Sequence, residues 1–135
     1  MDVEEFVRAY LRAIETDQLV GREEEWYTPD AVQIEWPNAL TPNGATRDLA
    51  ALRAAGERGR AIVATQRYEV TNLVADAGAG RVAVEAIFRA TFRIDLPDLP
   101  KGAVMEARFA MFFELADGRI RRHRTYDCFM PVAKG

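Results

Sequence analysis

The chain has 135 residues, 49% of them hydrophobic, which is enough for one sizeable core and too little for two, so a single domain over 1–135 is expected. A net charge of -3 argues against nucleic acid as the main partner, since phosphate binding needs a clustered positive surface. One cysteine, Cys128, and one histidine, His123, provide neither a disulfide framework nor a cysteine/histidine metal cluster.

The first eleven residues, MDVEEFVRAYL, are acidic where a secretory signal would be basic, and no apolar run reaches the roughly 18 residues of a membrane span. A cytoplasmic protein is the expectation. Val3, Phe6, Val7, Tyr10, Leu11 and Ile14 recur at the spacing of an amphipathic helix, with Asp2 as its cap. Asp17 to Tyr27 reads as a second, shorter helix that stops at Thr28-Pro29, because the residue before proline avoids the α region. Ala31 to Trp36 alternates as a half-buried strand with Val32, Ile34 and Trp36 inward and Gln33 and Glu35 outward. After the turn-rich stretch Pro37 to Gly44, Thr46 opens a third helix with Leu49 and Leu52 facing the core.

Long strands follow as a meander: Ala61 to Ala75, then Arg81 to Ile94 beyond the loop Asp76 to Gly80, then a hairpin within Ala103 to Pro131. In the strand from Arg81, Val82, Val84, Ala86, Phe88, Ala90, Phe92 and Ile94 share one face, which is plainly buried. The stretch Leu96 to Gly102 is too rich in proline to pair throughout and reads as a loop. This order predicts an α+β fold, a cone-shaped barrel with three N-terminal helices packed on a curved, mostly antiparallel sheet. The mouth of such a cone suits a small, mostly apolar ligand.

The hairpin turns at Asp117-Gly118, a two-residue signal that fixes register. With Ala116 opposite Arg119, the ladder predicts Leu115 opposite Ile120, Phe113 opposite Arg122, Phe112 opposite His123, Ala110 opposite Thr125 and Arg108 opposite Asp127. Arg108, Ala110, Phe112, His123, Thr125 and Asp127 then share one side. The arginines Arg119, Arg121, Arg122 and Arg124 split between faces, with Glu106 and Glu114 on the neighbouring strand, as a solvated or interface-paired surface.

Several strings carry a resemblance: Tyr10-Leu-Arg-Ala-Ile14, Trp26-Tyr-Thr-Pro-Asp-Ala31, Trp36-Pro37, and the run from Phe112 through Asp117-Gly118 to His123 and Tyr126. Across nearly the whole chain they resemble the nuclear transport factor 2-like superfamily, and within it the SnoaL-like polyketide cyclases, ketosteroid isomerases and limonene epoxide hydrolases. The resemblance implies a concave, ligand-facing side that includes Tyr10, Trp36, Val84, Phe88, Ala110, Phe112, His123, Thr125 and Asp127. It implies an outer side holding Phe109, Met111, Phe113 and Tyr126, which in this superfamily commonly forms a dimer interface. Two aspartates of the ketosteroid isomerases are replaced, by Trp36 and Ala110. The epoxide hydrolases are matched by Arg93-Ile94-Asp95, but the aspartate they carry in the last strand is Thr125, and strict alternation puts Arg93 and Asp95 outside the cone.

His123 is a candidate proton carrier because only imidazole has an unperturbed pKa near neutrality. Asp127 lies roughly 13 Å further along the strand, too far to form a dyad with it. It is either an acid or base in an apolar pocket, with a raised pKa, or the ion-pair partner of Arg108, with a lowered one. Tyr10 can donate to a carbonyl oxygen as charge develops there. Trp26, Tyr27 and Trp36 offer a flat aromatic lining, with Phe88 and Phe112 holding the ligand beside Trp36.

The expected function is cofactor-independent proton transfer on a small hydrophobic carbonyl compound, polyketide- or terpenoid-like, of the cyclase, isomerase or dehydratase type. His123 or Asp127 would move the proton and Tyr10 would polarise the oxygen. No metal, nucleotide or flavin motif is visible, and this route needs none. A homodimer without nucleic-acid or membrane partners is expected. The alternatives are a non-catalytic ligand-binding or dimeric interaction domain, and epoxide or ester hydrolysis, which requires Arg93 and Asp95 to turn inward.

Overall fold

The computed structural model describes residues 2–97 and 99–131. Its elements run α1 (Val3–Glu15), α2 (Glu23–Trp26), β1 (Tyr27–Glu35), β2 (Ala45–Arg47), α3 (Leu49–Ile62), β3 (Val63–Asp76), β4 (Arg81–Phe92), β5 (Val104–Ala116) and β6 (Arg119–Phe129). The strands form one curved sheet in the order β2-β1-β6-β5-β4-β3, antiparallel throughout except where β1 runs parallel to β6. The α+β class and the mostly antiparallel sheet match expectation. The helices do not all precede the sheet, because α3 follows β1 and β2, and α2 is a single turn. No helix among the described residues is long and apolar enough to cross a membrane.

Local chemistry explains where each element starts. The Asp2 carboxylate accepts from the Glu5 amide at 2.7 Å and caps α1, whose first turn carries Glu4 and Glu5 where the helix dipole favours them. Asp48 caps α3 by accepting from the Ala51 amide at 2.9 Å. The expected helix from Asp17 to Tyr27 shrinks because Asp17 and Gly21 both have positive φ, which breaks the chain into turns before Glu23. The third helix, expected from Thr46, begins at Leu49, because Ala45–Arg47 forms β2 and pairs with β1 through Glu35 with Ala45, Ile34 with Thr46 and Gln33 with Arg47.

Gly44 makes that return possible. Its φ is +66°, and a Cβ there would sit 2.7 Å from the Glu35 carbonyl oxygen. Gly44→Ala is therefore expected to destabilise the protein by about 1–3 kcal/mol, seen as a lower urea midpoint at unchanged slope. An unchanged midpoint would mean that the loop relaxes without cost.

The core fills the space between α1 and the concave face of the sheet. Val7, Tyr10 and Leu11 of α1 meet Val82, Val84 and Ala86 of β4, Met111 and Phe113 of β5 and Ile120 of β6, with Leu52 of α3 joining from the side. A second group, Phe88, Ala90 and Ala107, packs with Tyr68, Phe109 and Phe129 further along the sheet. The alternation expected in β4 holds from Val82 to Phe92, where every even residue is buried, but Ile94, expected on the same face, lies beyond the strand and is 42% exposed.

The register of β5 against β6 departs from expectation at one residue. Ala116 does face Arg119 and Leu115 does face Ile120, but the next pair is Glu114 with Arg122, so Arg121 is an extra residue in β6. This bulge turns every later side chain of β6 to the opposite face relative to β5. His123 comes to face Phe113, Thr125 faces Met111 and Asp127 faces Phe109. Phe109, Met111 and Phe113 are thus interior, not outer-face, residues, and of the four expected outside only Tyr126 is there, 44% exposed.

The same bulge moves Arg108, Ala110 and Phe112 to the outer face. Arg108 faces Cys128, and its guanidinium pairs with Glu106 at 3.2 Å rather than with Asp127. β1 is inverted as well. Its parallel register sets Gln33 beside His123 and Glu35 beside Thr125, so Gln33 and Glu35 turn inward while Val32, Ile34 and Trp36 turn out. Trp36, expected in the pocket, is 43% exposed and stacks on Tyr126 at 5.8 Å.

Candidate functional site

Bringing Gln33 and Glu35 to the inner face alongside His123, Thr125 and Asp127 creates a polar wall in the otherwise apolar interior of the curved sheet. These five line a cavity of about 150 Å³, with Tyr10, Leu11 and Ile14 of α1, Tyr68 of β3, and Phe109 and Met111 of β5 as its other walls. A larger space of about 250 Å³ lies toward α3, against Leu52, Gly56 and Gly59, and shares Tyr10, Ile14 and Gln33 with the first. Tyr27 lines this larger space. The two together are the candidate ligand site.

The carboxylates have opposite electrostatic settings. Burial pushes Glu35 up, but hydrogen bonds from Asn38, Thr41 and Arg47 outweigh it and hold the group below the usual carboxylate range. Asn38 Nδ2 donates to Glu35 Oε2 at 2.8 Å, and Arg47 Nη1 donates to Oε1 at 2.9 Å. Asp127 moves the other way. Burial raises it to about 6, the Glu35 charge adds to the rise, and the Thr125 hydroxyl, which donates to Oδ1 at 2.5 Å, and Arg47 restrain it. One carboxylate stays ionised and its neighbour is tuned to exchange protons near neutrality, the pattern of an acid–base site.

His123 is 5% exposed and held between aromatic rings, stacked on Phe113 at 4.3 Å and edge-on to Tyr10 at 6.2 Å. Burial pulls its pKa down to about 3, with the nearby Arg124 charge in the same direction. Its Nδ1 lies 3.2 Å from Gln33 Nε2, and among the described residues Nε2 has no hydrogen-bond partner. Arg47 Nη1 also donates to Gln33 Oε1, at 3.0 Å.

Tyr10 is interior, as expected, and its hydroxyl is hydrogen-bonded to that of Tyr27. Burial drives both phenols well above their ordinary pKa, so both stay protonated. Whichever oxygen accepts from the other retains its own proton to give.

Other expected site residues divide. Thr125 is interior and bonded to Asp127. Val84 and Phe88 are buried in the packed core beneath the cavity rather than on its wall. Trp26 packs on Phe6 and Tyr10, outside the lining of either space. Arg108, Ala110, Phe112 and Trp36 lie on the opposite face of the sheet, for the register reasons given above.

Arg93 and Asp95 are exposed beyond the end of β4. The Arg93 guanidinium donates to the Val63 carbonyl at 2.8 Å, and Asp95 accepts from the Lys101 amide at 2.9 Å. Neither turns inward, which removes the basis for the hydrolase alternative. Gln33, Glu35, Arg47 and Tyr68 were missed. The one sequence signal for the first two was a polar residue at alternate positions of an apolar strand, which reads equally well as a solvent face.

Solved structures share this fold. IdmH of Streptomyces antibioticus is 23% identical, over 94% of this chain and 92% of that one, with a TM-score of 0.74. A SnoaL-like polyketide cyclase from Agrobacterium tumefaciens is 20% identical over 94% and 91%, with a TM-score of 0.67. PhzB2, a phenazine biosynthesis-related protein of Pseudomonas aeruginosa, is 21% identical over 92% and 74%, with a TM-score of 0.72. No curated protein matches the chain in sequence. Residues 7–123 match the SnoaL-like domain, and the chain belongs to that family, within the nuclear transport factor 2-like superfamily.

Proposed function

We propose that this protein is a cofactor-independent acid–base catalyst acting on a small, mostly apolar carbonyl compound, a cyclase, isomerase or dehydratase for a polyketide- or terpenoid-like substrate. The observation that carries this reading is Asp127, a carboxylate pushed up to about 6 on the polar wall of a cavity whose other walls are aliphatic and aromatic. Ionised, Asp127 takes the proton from the carbon next to the carbonyl; protonated, it returns that proton at the same or a conjugated carbon. His123, with its pKa near 3, is neutral at ordinary pH and cannot share that task. A phenol proton of the Tyr10–Tyr27 pair is the group to polarise the carbonyl oxygen, with the unpartnered Nε2 of the buried His123 ring beside it. The solved polyketide cyclase of similar fold supports the substrate class.

The test is exchange of the α-protons of ethyl benzoylacetate with deuterium oxide, followed by proton NMR against buffer alone. Exchange faster than buffer, with kcat/KM rising as pH passes through about 6, is the expected result. No acceleration for this and a set of related β-keto esters, with the protein folded, would favour a non-catalytic ligand-binding domain.

The reading includes a homodimer formed through the outer sheet face. Trp36, Tyr126 and Phe112 form a continuous aromatic row there, each 40–44% exposed, with ring separations of 5.8 and 5.9 Å. Around it lie Arg108 with Glu106 and Arg124 with Glu114. Both charge signs surround an apolar centre, so a second copy of the same patch is complementary to it under two-fold symmetry. Tyr126→Arg is expected to convert the dimer to monomer in sedimentation equilibrium while leaving the cavity face unaltered; a monomeric wild type would remove the dimer.

A further inference from the structure

We propose that Arg47 and Gln33 are positioning residues that fix the His123 ring as the Nε2–H tautomer, making it a hydrogen-bond donor to the substrate's carbonyl oxygen. The donor role rests on the acid–base reading above; the tautomer does not. The argument follows from what each group can do. A guanidinium only donates. Arg47 Nη1 lies 3.0 Å from Gln33 Oε1, so that end of the amide must accept, and the other end is the NH₂ group. The NH₂ group lies 3.2 Å from His123 Nδ1 and can only donate to it. Nδ1 therefore carries a lone pair, and the single proton of the neutral ring sits on Nε2.

That nitrogen is the one buried side-chain polar atom without a partner among the described residues; its ring lines the 150 Å³ cavity, but the atom itself is covered, so a substrate oxygen meets it only when the side chains over it part. A buried donor with no partner is costly, and such groups persist where a function uses them. An oxygen that gains negative charge in the enolate is the acceptor such a donor serves. A neutral imidazole stabilises that charge without surrendering its proton to it, which leaves proton transfer to Asp127. The short strand β2 exists at the place where it brings Arg47 across from Gln33, and the same guanidinium holds Glu35 at 2.9 Å, so one cation orients the histidine and keeps the neighbouring carboxylate ionised.

The chain has a single histidine, so the experiment is direct: nitrogen-15 imidazole NMR of tag-free protein at neutral pH. The expected wild-type spectrum has the proton on Nε2 and a bare Nδ1. Gln33→Glu replaces the donor with an acceptor of the same shape and is expected to bring a proton to Nδ1, with kcat for exchange falling about a hundredfold and KM little changed. Arg47→Gln, which frees the amide to turn without placing a charge beside the ring, is the second variant and should give a mixture of tautomers.

A wild-type ring protonated on Nδ1, or a Gln33→Glu protein that keeps the wild-type spectrum, overturns the relay. If exchange is nonetheless catalysed, the Asp127 reading stands without it. An Nε2–H ring in a protein that exchanges no probe overturns the donor role and the acid–base reading together, while the tautomer assignment survives.

Discussion

Asp127→Asn is expected to lower kcat/KM for α-proton exchange by about 10²–10⁴-fold, the range that a positioned general base contributes. The amide keeps the size of the side chain and can still meet the Thr125 hydroxyl, so the cavity should survive; what it lacks is a site that binds and releases a proton. The pH profile separates this from structural damage. In the wild type the base form is present only above the group's own pKa, so kcat/KM should rise through about pH 6, and that limb should vanish in the variant. Glu35→Gln is the companion measurement. The Glu35 charge helps raise Asp127, and without it the limb should move to lower pH while activity persists. A limb that stays near 6 in Asp127→Asn would assign the titration to another group.

How much of this could be read in the sequence depends on which strand is considered. β4 was legible because its alternate positions from Val82 to Phe92 are uniformly apolar, and one buried face admits only one phase. The Asp117-Gly118 turn was legible because both residues take positive φ, +52° and +75°, and the first two pairs beyond it form as expected. The bulge at Arg121 was not. It is marked by neither glycine nor proline, and it falls among four arginines, any of which is as content in solvent as the next. That single residue reversed the facing of Arg108, Ala110 and Phe112 relative to His123, and with it half of the expected pocket.

β1 was misread for a different reason. Inferring the interior from Val32, Ile34 and Trp36 assumes that only one face is apolar, whereas this sheet carries an aromatic row on its outside. Tyr10, Tyr27, His123, Thr125 and Asp127 do line the two spaces; Tyr10 was marked by helix spacing and His123 and Asp127 by their chemistry, while Thr125 lies two residues from each of them on one strand and so shares their face whatever the register of β5. Gln33, Glu35 and Arg47 depend on a three-residue strand and a parallel pairing between segments 90 residues apart, which no local pattern encodes.

His123→Gln is expected to gain stability relative to the wild type as pH falls below about 6.5. The imidazole pKa is about 3 when folded and about 6.5 when unfolded, so between those values the unfolded chain binds more protons than the native one. Stability from the buried neutral ring is fully present above about pH 6.5 and is lost at about 1.4 kcal/mol per pH unit below it. Asp127 has the opposite sign: its folded pKa is raised, to about 6 from 3.8, so it favours the native state increasingly as pH falls between those values. The two slopes offset each other in the wild type over that interval, which makes the single variants more informative than the parent. Urea midpoints measured from about pH 7 to about pH 4.5 should show His123→Gln gaining about 3 kcal/mol on the wild type as pH falls. Asp127→Asn should diverge downward over the same range, because only the histidine term remains. Parallel curves for wild type and His123→Gln would mean that the ring titrates equally in both states, and then burial between Phe113 and Tyr10 is not what keeps it neutral.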